Sequence, residues 1–164
     1  MSKPESREEH LPPLFSPEAT VAERASIKVG ERMTKNPVTV KPNDAIKDAI
    51  EKMKRGRFRH LPMVDDEGKL IGMISDRDIR LIRPSLAFVS SEDAAVQLWS
   101  TAVRQAAVFD PVTIQPDQLL EQAAELMLRW EIGGLPVVDD RGKPIGIITY
   151  TDLLRELITR GRQG

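Results

Sequence analysis

The sequence predicts an α+β protein built from two β-α-β-β-α repeats that pack sheet to sheet as a pseudo-twofold pair. Three observations lead there. First, the chain of 164 residues aligns with itself at a spacing of 74 without a gap, and 19 of the 45 positions in 36–80 are identical to those in 110–154. Second, each copy carries one apolar stripe at helical spacing between two short β-branched runs. Third, each copy contains "DD-x-GK", aspartates before a glycine, which is the chemistry of a hairpin turn. A gapless repeat of this length marks duplication of one supersecondary unit.

The elements follow in chain order. Pro37-Val38-Thr39-Val40 and Pro111-Val112-Thr113-Ile114 read as short strands, and Pro42 with Asn43 and Asp44 breaks the first and offers side chains that start a helix. Ile46, Ala49, Ile50 and Met53 fall at i, i+3, i+4 and i+7, matched by Leu120, Ala123, Ala124 and Met127. Leu61–Val64 and Leu70–Ile74 read as strands joined by "DDEGK", and Leu135–Val138 and Ile145–Ile148 as strands joined by "DDRGK". Ser75 and Thr149 open a last helix in each copy, the first carrying Ile79, Leu81 and Ile82, the second Leu153, Leu154, Leu157 and Ile158. A unit of roughly fifty residues with one bare sheet face cannot bury enough surface alone, so the copies are expected to cover each other. The boundaries predicted are an N-terminal tail over 1–26, repeats over 27–83 and 101–164, and a linker helix region over 84–100. Four prolines make the start of the tail irregular, whereas Val21 to Arg32 is expected to pack on the core. Pro84 ends the first repeat, and "SSED" at 90–93 starts a helix expected to run through Trp99 to about Gln105.

Composition narrows the function classes. The formal net charge is −1, from 24 Lys+Arg against 25 Asp+Glu, so the whole-chain balance favours neither a polyanion nor a membrane surface. With no cysteine there are no disulfides, thiolate metal sites or cysteine nucleophiles. No apolar run suits a signal peptide or a membrane span, and a cytoplasmic setting is the expectation. Catalysis finds little support. His60 is the one histidine inside the repeats and has no second histidine for a relay, no His/Asp/Glu set has metal-ligand spacing, and no glycine-rich phosphate loop occurs. Asp65-Asp66 and Asp139-Asp140 are explained by their turns. The chain is therefore expected not to be an enzyme and to carry no metal.

The motif with chemical content is the strand-to-helix turn, "GMISDRDI" at 72–79 and "GIITYTDL" at 146–153. Ser75-x-x-Asp78 and Thr149-x-x-Asp152 fit a capping box, in which the hydroxyl and the acid satisfy free amides of the first turn. The same residues suit a ligand, because a helix start favours a phosphate and an aspartate accepts from both hydroxyls of a ribose. Both readings stay open at this level.

With "NPVTV…HLPMVDDEGKLIGMISDRDI" and "DPVTI…GLPVVDDRGKPIGIITYTDL", the chain resembles the paired cystathionine-β-synthase (CBS) domain, or Bateman module, over roughly residues 27 to 160. The resemblance implies a non-catalytic regulatory module, often dimeric, that binds adenosine-containing ligands in clefts between the copies. AMP, ADP or ATP is the expected class, with S-adenosylmethionine or NAD as further candidates. It implies that Ser75, Asp78, Thr149 and Asp152 meet phosphate and ribose. Leu61, Pro62, Met63, Leu135, Pro136 and Val137 are implied as pocket wall, and Thr39 and Thr113 complete the candidate set. Met33-Thr34 before the first copy has Ala107-Val108 as its counterpart, which departs from a polar edge.

The copies differ most before the middle strand, "KRGRFRH" against "LRWEIGG". Arg59 and His60, with Arg77 from the turn, are candidates for a phosphate in the first copy. Gly133-Gly134 instead allows close backbone approach. The leading expectation is a nucleotide-sensing homodimer that acts on another protein, whose identity the sequence does not give. The alternatives are a purely structural dimerisation module and, on the strength of "KRGRFRH" alone, nucleic-acid binding, which lacks interleaved aromatics beyond Phe58.

Overall fold

In a computed structural model of the chain, the structure describes residues 26–82 and 100–162, together with Glu92, Asp93 and Val96. The first repeat supplies α1 (Val29–Arg32), β1 (Thr34–Lys35), α2 (Ile46–Gly56), β2 (His60–Val64), β3 (Leu70–Ser75) and α3 (Asp76–Ile82). The second supplies a 3-10 turn (Val103–Gln105), β4 (Val108–Phe109), α4 (Leu120–Trp130), β5 (Gly134–Val138), β6 (Pro144–Thr149) and α5 (Tyr150–Gly161). They form the expected α+β architecture, with two three-stranded antiparallel sheets ordered β2-β3-β4 and β1-β6-β5.

The hairpins behave as the repeat predicts. His60 pairs with Ser75 and Leu61 with Ile74, exactly as far along their strands as Gly134 with Thr149 and Leu135 with Ile148. In each turn one carboxylate oxygen, Oδ1 of Asp65 or of Asp139, accepts two backbone N–H groups, at 3.0 and 2.8 Å or at 2.9 and 2.8 Å. Gly68 and Gly142 take φ of 80° and 74°, the left-handed conformation that glycine adopts without cost.

The outer strand of each sheet comes from the other copy. β1 pairs with β6, and β4 pairs with β3. The residues before these strands follow the same exchange. Val29, fully buried, sits in the core of the second copy with Ile114, Leu120, Met127, Leu135 and Ile148, while Val103, also fully buried, sits in that of the first with Ile46, Leu61, Met63 and Ile74. Burying each valine contributes about 1.5–3 kcal/mol relative to exposure. The exchanged backbone also completes hydrogen bonding at the helix starts. Ile46 N–H donates to the Thr101 carbonyl at 2.9 Å, and Leu120 N–H to that of Ile27 at 3.0 Å. At one end the exchange has an ionic tie: Arg32 Nε donates to Glu156 Oε2 at 2.6 Å, and Arg160 Nε donates to Oε1 at 3.1 Å. The Arg32 bond, with Arg160 adding to it, holds the Glu156 carboxyl below the usual range.

Several expectations change accordingly. Residues 37–39 and 111–113 are not sheet strands. Val40 and Ile114 each make an isolated parallel bridge, to Met63 and Val137, and the paired strands lie earlier, at β1 and β4. Pro37 and Pro111 have no N–H for a ladder, and Asn36 (φ 52°) and Asp110 (φ 46°) turn the chain just before them. Asn43 and Asp44 do not cap α2. Its N-cap is Ala45, and Asp44 Oδ2 instead accepts the Lys41 N–H at 2.9 Å. Of the linker helix, Glu92, Asp93, Val96 and Ser100 are helical and the rest of 90–99 lies outside the described residues. The helix does not reach Gln105, because Ala102 is extended, bridges Ala45 and hands over to the 3-10 turn. The expectations for 1–25 also lie outside the described residues, while Val29–Arg32 packs on the core as anticipated. On α5, Leu153 packs inward, whereas Leu154, Leu157 and Ile158 are exposed.

The crossing strands explain two glycines. A Cβ on Gly72 would lie 2.9 Å from the Val108 carbonyl oxygen and 2.5 Å from Met63 Cε, and one on Gly146 would meet Met33 Sδ and stand 3.1 Å from the Thr34 carbonyl oxygen. Gly72→Ala is expected to destabilise by about 1–3 kcal/mol in urea unfolding, since a backbone carbonyl blocks the added methyl. Gly146→Ala is expected to cost less, because the flexible Met33 side chain can move.

Candidate functional site

The exchange leaves a cleft between the copies, of about 1160 Å³, and its lining comes in pairs related by the repeat. The turns contribute Ser75 and Asp78 on one side and Thr149 and Asp152 on the other. The segments that cross between the sheets contribute Asn36 to Val38 and Asp110 to Val112. The chain ahead of β2 and β5 contributes Arg57 to His60 and Glu131 to Gly134.

Each turn forms the capping box that its sequence allows. Ser75 N–H and Oγ both donate to Asp78 Oδ2, at 2.8 and 2.6 Å, and Asp78 N–H donates to Ser75 Oγ at 3.2 Å. Thr149 N–H and Oγ1 donate to Asp152 Oδ2 at 2.9 and 2.8 Å. The box occupies one oxygen of each aspartate. Oδ1 of Asp78 has no partner among the described residues, and Oδ1 of Asp152 lies 3.5 Å from Arg155 Nη1. Capping therefore fixes the carboxylates and leaves acceptor capacity on the second oxygen of Asp78.

The structure sorts the sequence candidates. Ser75, Arg77, Asp78, Thr149, Asp152, Arg59 and His60 all line the cleft. The side chains of Leu61, Met63, Leu135 and Val137 do not, being fully buried in the two cores, and Pro62 and Pro136 are buried beside them. Thr39 and Thr113 lie one residue beyond the cleft-lining Val38 and Val112, and the Thr39 carbonyl accepts Lys52 Nζ at 3.0 Å. Apolar lining falls instead to Val38, Phe58, Val108, Val112, Ile132 and Tyr150. The repeat had singled out "NPV" and "DPV", but reading them as strand interior hid their place at the crossings. Arg155 was missed because nothing in the sequence marks a helix residue one turn past the aspartate as facing the cleft.

His60 stands where the two halves meet. A Cβ on Gly134 would be 3.3 Å from His60 Cε1 and Nδ1, so the imidazole crowds that position, while one on Gly133 would stand in ordinary contact, 3.6 Å from Nε2. Burial pushes its pKa below the usual 6.5; Asp76 and Asp78 pull it up less strongly, and Arg59 adds to the depression. The shift favours the neutral ring. No group of His, Cys, Asp and Glu suited to hold a metal occurs among the described residues, and no helix there is long and apolar enough to cross a membrane.

A histidine whose folded pKa is lowered binds its proton more readily when unfolded. Its contribution is then complete above the unfolded value and is lost as pH falls below it. Between about pH 7.5 and 5.5 the urea midpoint of the parent is expected to drop more than that of His60→Gln. Equal drops would remove His60 as the cause; the depressed Glu156 titrates below this window.

Comparison with known proteins agrees with the geometry. The family model described as the CBS domain matches residues 29–84 and 103–159. A CBS domain-containing protein of Dictyostelium discoideum is 35% identical over 133 residues, covering 80% of this chain and 92% of its own length. Inosine-5′-monophosphate dehydrogenase of Aquifex aeolicus is 34% identical over 120 residues, 73% of this chain but only 22% of the dehydrogenase, so the chain spans about a fifth of that relative. Among solved structures, the CBS domain pair of protein MJ0100 in complex with 5′-methylthioadenosine and S-adenosyl-L-methionine superposes with a TM-score of 0.72 at 26% identity, covering 82% of this chain and 98% of that one. CBSX2 of Arabidopsis thaliana in complex with AMP gives 0.67 at 29% identity, with coverages of 82% and 98%. With two matched repeats that exchange strands around one cleft, the chain belongs to the CBS domain family.

Proposed function

We propose that this chain is a regulatory, non-catalytic module that binds an adenine nucleotide of the AMP, ADP and ATP class in the cleft and passes the change in shape or rigidity to a partner protein. One observation carries the reading: both Ser/Thr-x-x-Asp turns face the same cleft, with the Asp78 oxygen outside the capping box free to accept from a ribose. The volume exceeds the roughly 300–1,000 Å³ of an ordinary small-molecule site, room enough for a nucleotide. Support also comes from the solved relatives with AMP and with 5′-methylthioadenosine and S-adenosylmethionine, which keep S-adenosylmethionine and NAD as further ligands to test. Regulation follows if the ligand binds one arrangement of the two copies better than another, because differential affinity is what shifts the equilibrium.

Pairing with a second copy belongs to the same reading. Leu154, Leu157 and Ile158 are 58%, 66% and 56% exposed and lie at i, i+3 and i+4 on one face of α5, an apolar stripe suited to a symmetric contact. Light scattering is expected to give a dimer for the parent and a monomer for Leu157→Glu; equal masses would remove this face from the interface.

Calorimetric titration with AMP, ADP, ATP, S-adenosylmethionine and NAD tests the central reading. At least one adenine nucleotide is expected to bind. Asp78→Asn, which keeps an acceptor for the cap but loses the charge, is expected to weaken it about tenfold with little change in melting temperature. Silence with all five ligands would leave a structural dimerisation module whose turns only cap helices.

A further inference from the structure

The two walls of the cleft are not chemically equivalent. Resting on the nucleotide reading above, we propose that the cleft takes one polyphosphate nucleotide per chain, against the first copy, and that the wall of the second copy takes only a nucleoside without phosphate.

Charge is the first ground. Arg57, Arg59 and Arg77 line the first wall, and none of their guanidinium groups has an ion-pair or hydrogen-bond partner among the described residues. Their counterparts 74 residues later are Glu131, Gly133 and Thr151. Of the acids in the first turn, Asp76 lies 3.1 Å from Arg80 Nη2, so the three arginines outnumber the one remaining carboxylate, Asp78. The second wall presents Glu131 and Asp152, and its Arg155 sits 3.5 Å from Asp152. Three unpaired guanidiniums around one partly desolvated cleft suit several phosphate oxygens, whereas an acidic wall without a free cation repels them.

Space is the second ground. The space beside Gly134 is crowded by the His60 ring from the first copy, 3.3 Å from where its Cβ atom would stand. Gly133 and Gly134 offer no side chain to a phosphate on the second wall, where the first wall has Arg59 and His60. The ribose acceptor is nonetheless present in both halves, so nucleoside binding is common to the two and phosphate binding is not.

The test is stoichiometry by calorimetry with ATP and with adenosine. ATP is expected to saturate at one per chain, and the saturated protein is expected to take one adenosine more. The double variant Arg59→Ala/Arg77→Ala is expected to lose at least tenfold in ATP affinity while its adenosine affinity stays unchanged. Glu131→Arg/Thr151→Arg, which copies Arg57 and Arg77 onto the second wall, is expected to admit a second ATP; position 131 has φ of 52° and its counterpart Arg57 has 54°, so the backbone accepts arginine there. Two ATP molecules of similar affinity on the parent, an equal loss for ATP and adenosine in the arginine variant, or one ATP only in the gain variant would each overturn the division of the cleft. Failure of both ligands to bind would instead overturn the nucleotide reading itself.

Discussion

Everything in this fold depends on the reciprocal exchange of the segments that open the two repeats. The core of the first copy is closed by Val103 and that of the second by Val29, and neither sheet has its third strand without the other copy. The exchange also settles the backbone, because the leading amides of α2 and α4 donate to Thr101 and Ile27 rather than to capping side chains. A single copy would expose a core and leave these donors unpaired, which is why neither unit is expected to fold alone.

The cleft is a consequence of the same exchange. A chain that leaves the edge of one sheet at β1 or β4 must cross to an outer strand of the other, where Val40 meets Met63 on β2 and Ile114 meets Val137 on β5. Asn36 and Asp110 take positive φ at those crossings, a conformation that a short side chain able to bond its own backbone tolerates best. The crossings lie between the sheets and line the space that the two turns face. Gly72 and Gly146 serve the same geometry from below, where a Cβ would strike the exchanged chain.

Duplication supplies two copies of the turn, and divergence has altered what surrounds them. The capping box and the ligand reading do not compete in this structure. The box holds Asp78 and Asp152 by one oxygen each and so fixes the direction of the other. Near the pseudo-twofold axis the symmetry is broken by size: His60 occupies the room left by Gly134, an arrangement that two histidines at these positions would not permit.

The sequence by itself determined the repeat, the hairpins, the helix stripes and seven of the polar residues that line the cleft, because each rests on local rules. Periodicity names a buried face, aspartate before glycine names a turn, and a hydroxyl three residues before an acid names a helix start. It misplaced the first strands and the cap of α2, and took Leu61, Met63, Leu135 and Val137 for pocket wall when they are core. Those errors share a cause. An apolar run in a strand does not say which side faces a ligand, and a two-residue strand such as Thr34–Lys35 has no periodicity to read. Only the tertiary structure decided which copy completes which sheet, since exchanged and unexchanged pairings satisfy the same local patterns. The choice lies in long-range contacts: Val29 with the second core, Val103 with the first, and Arg32 with Glu156 across 124 residues of chain.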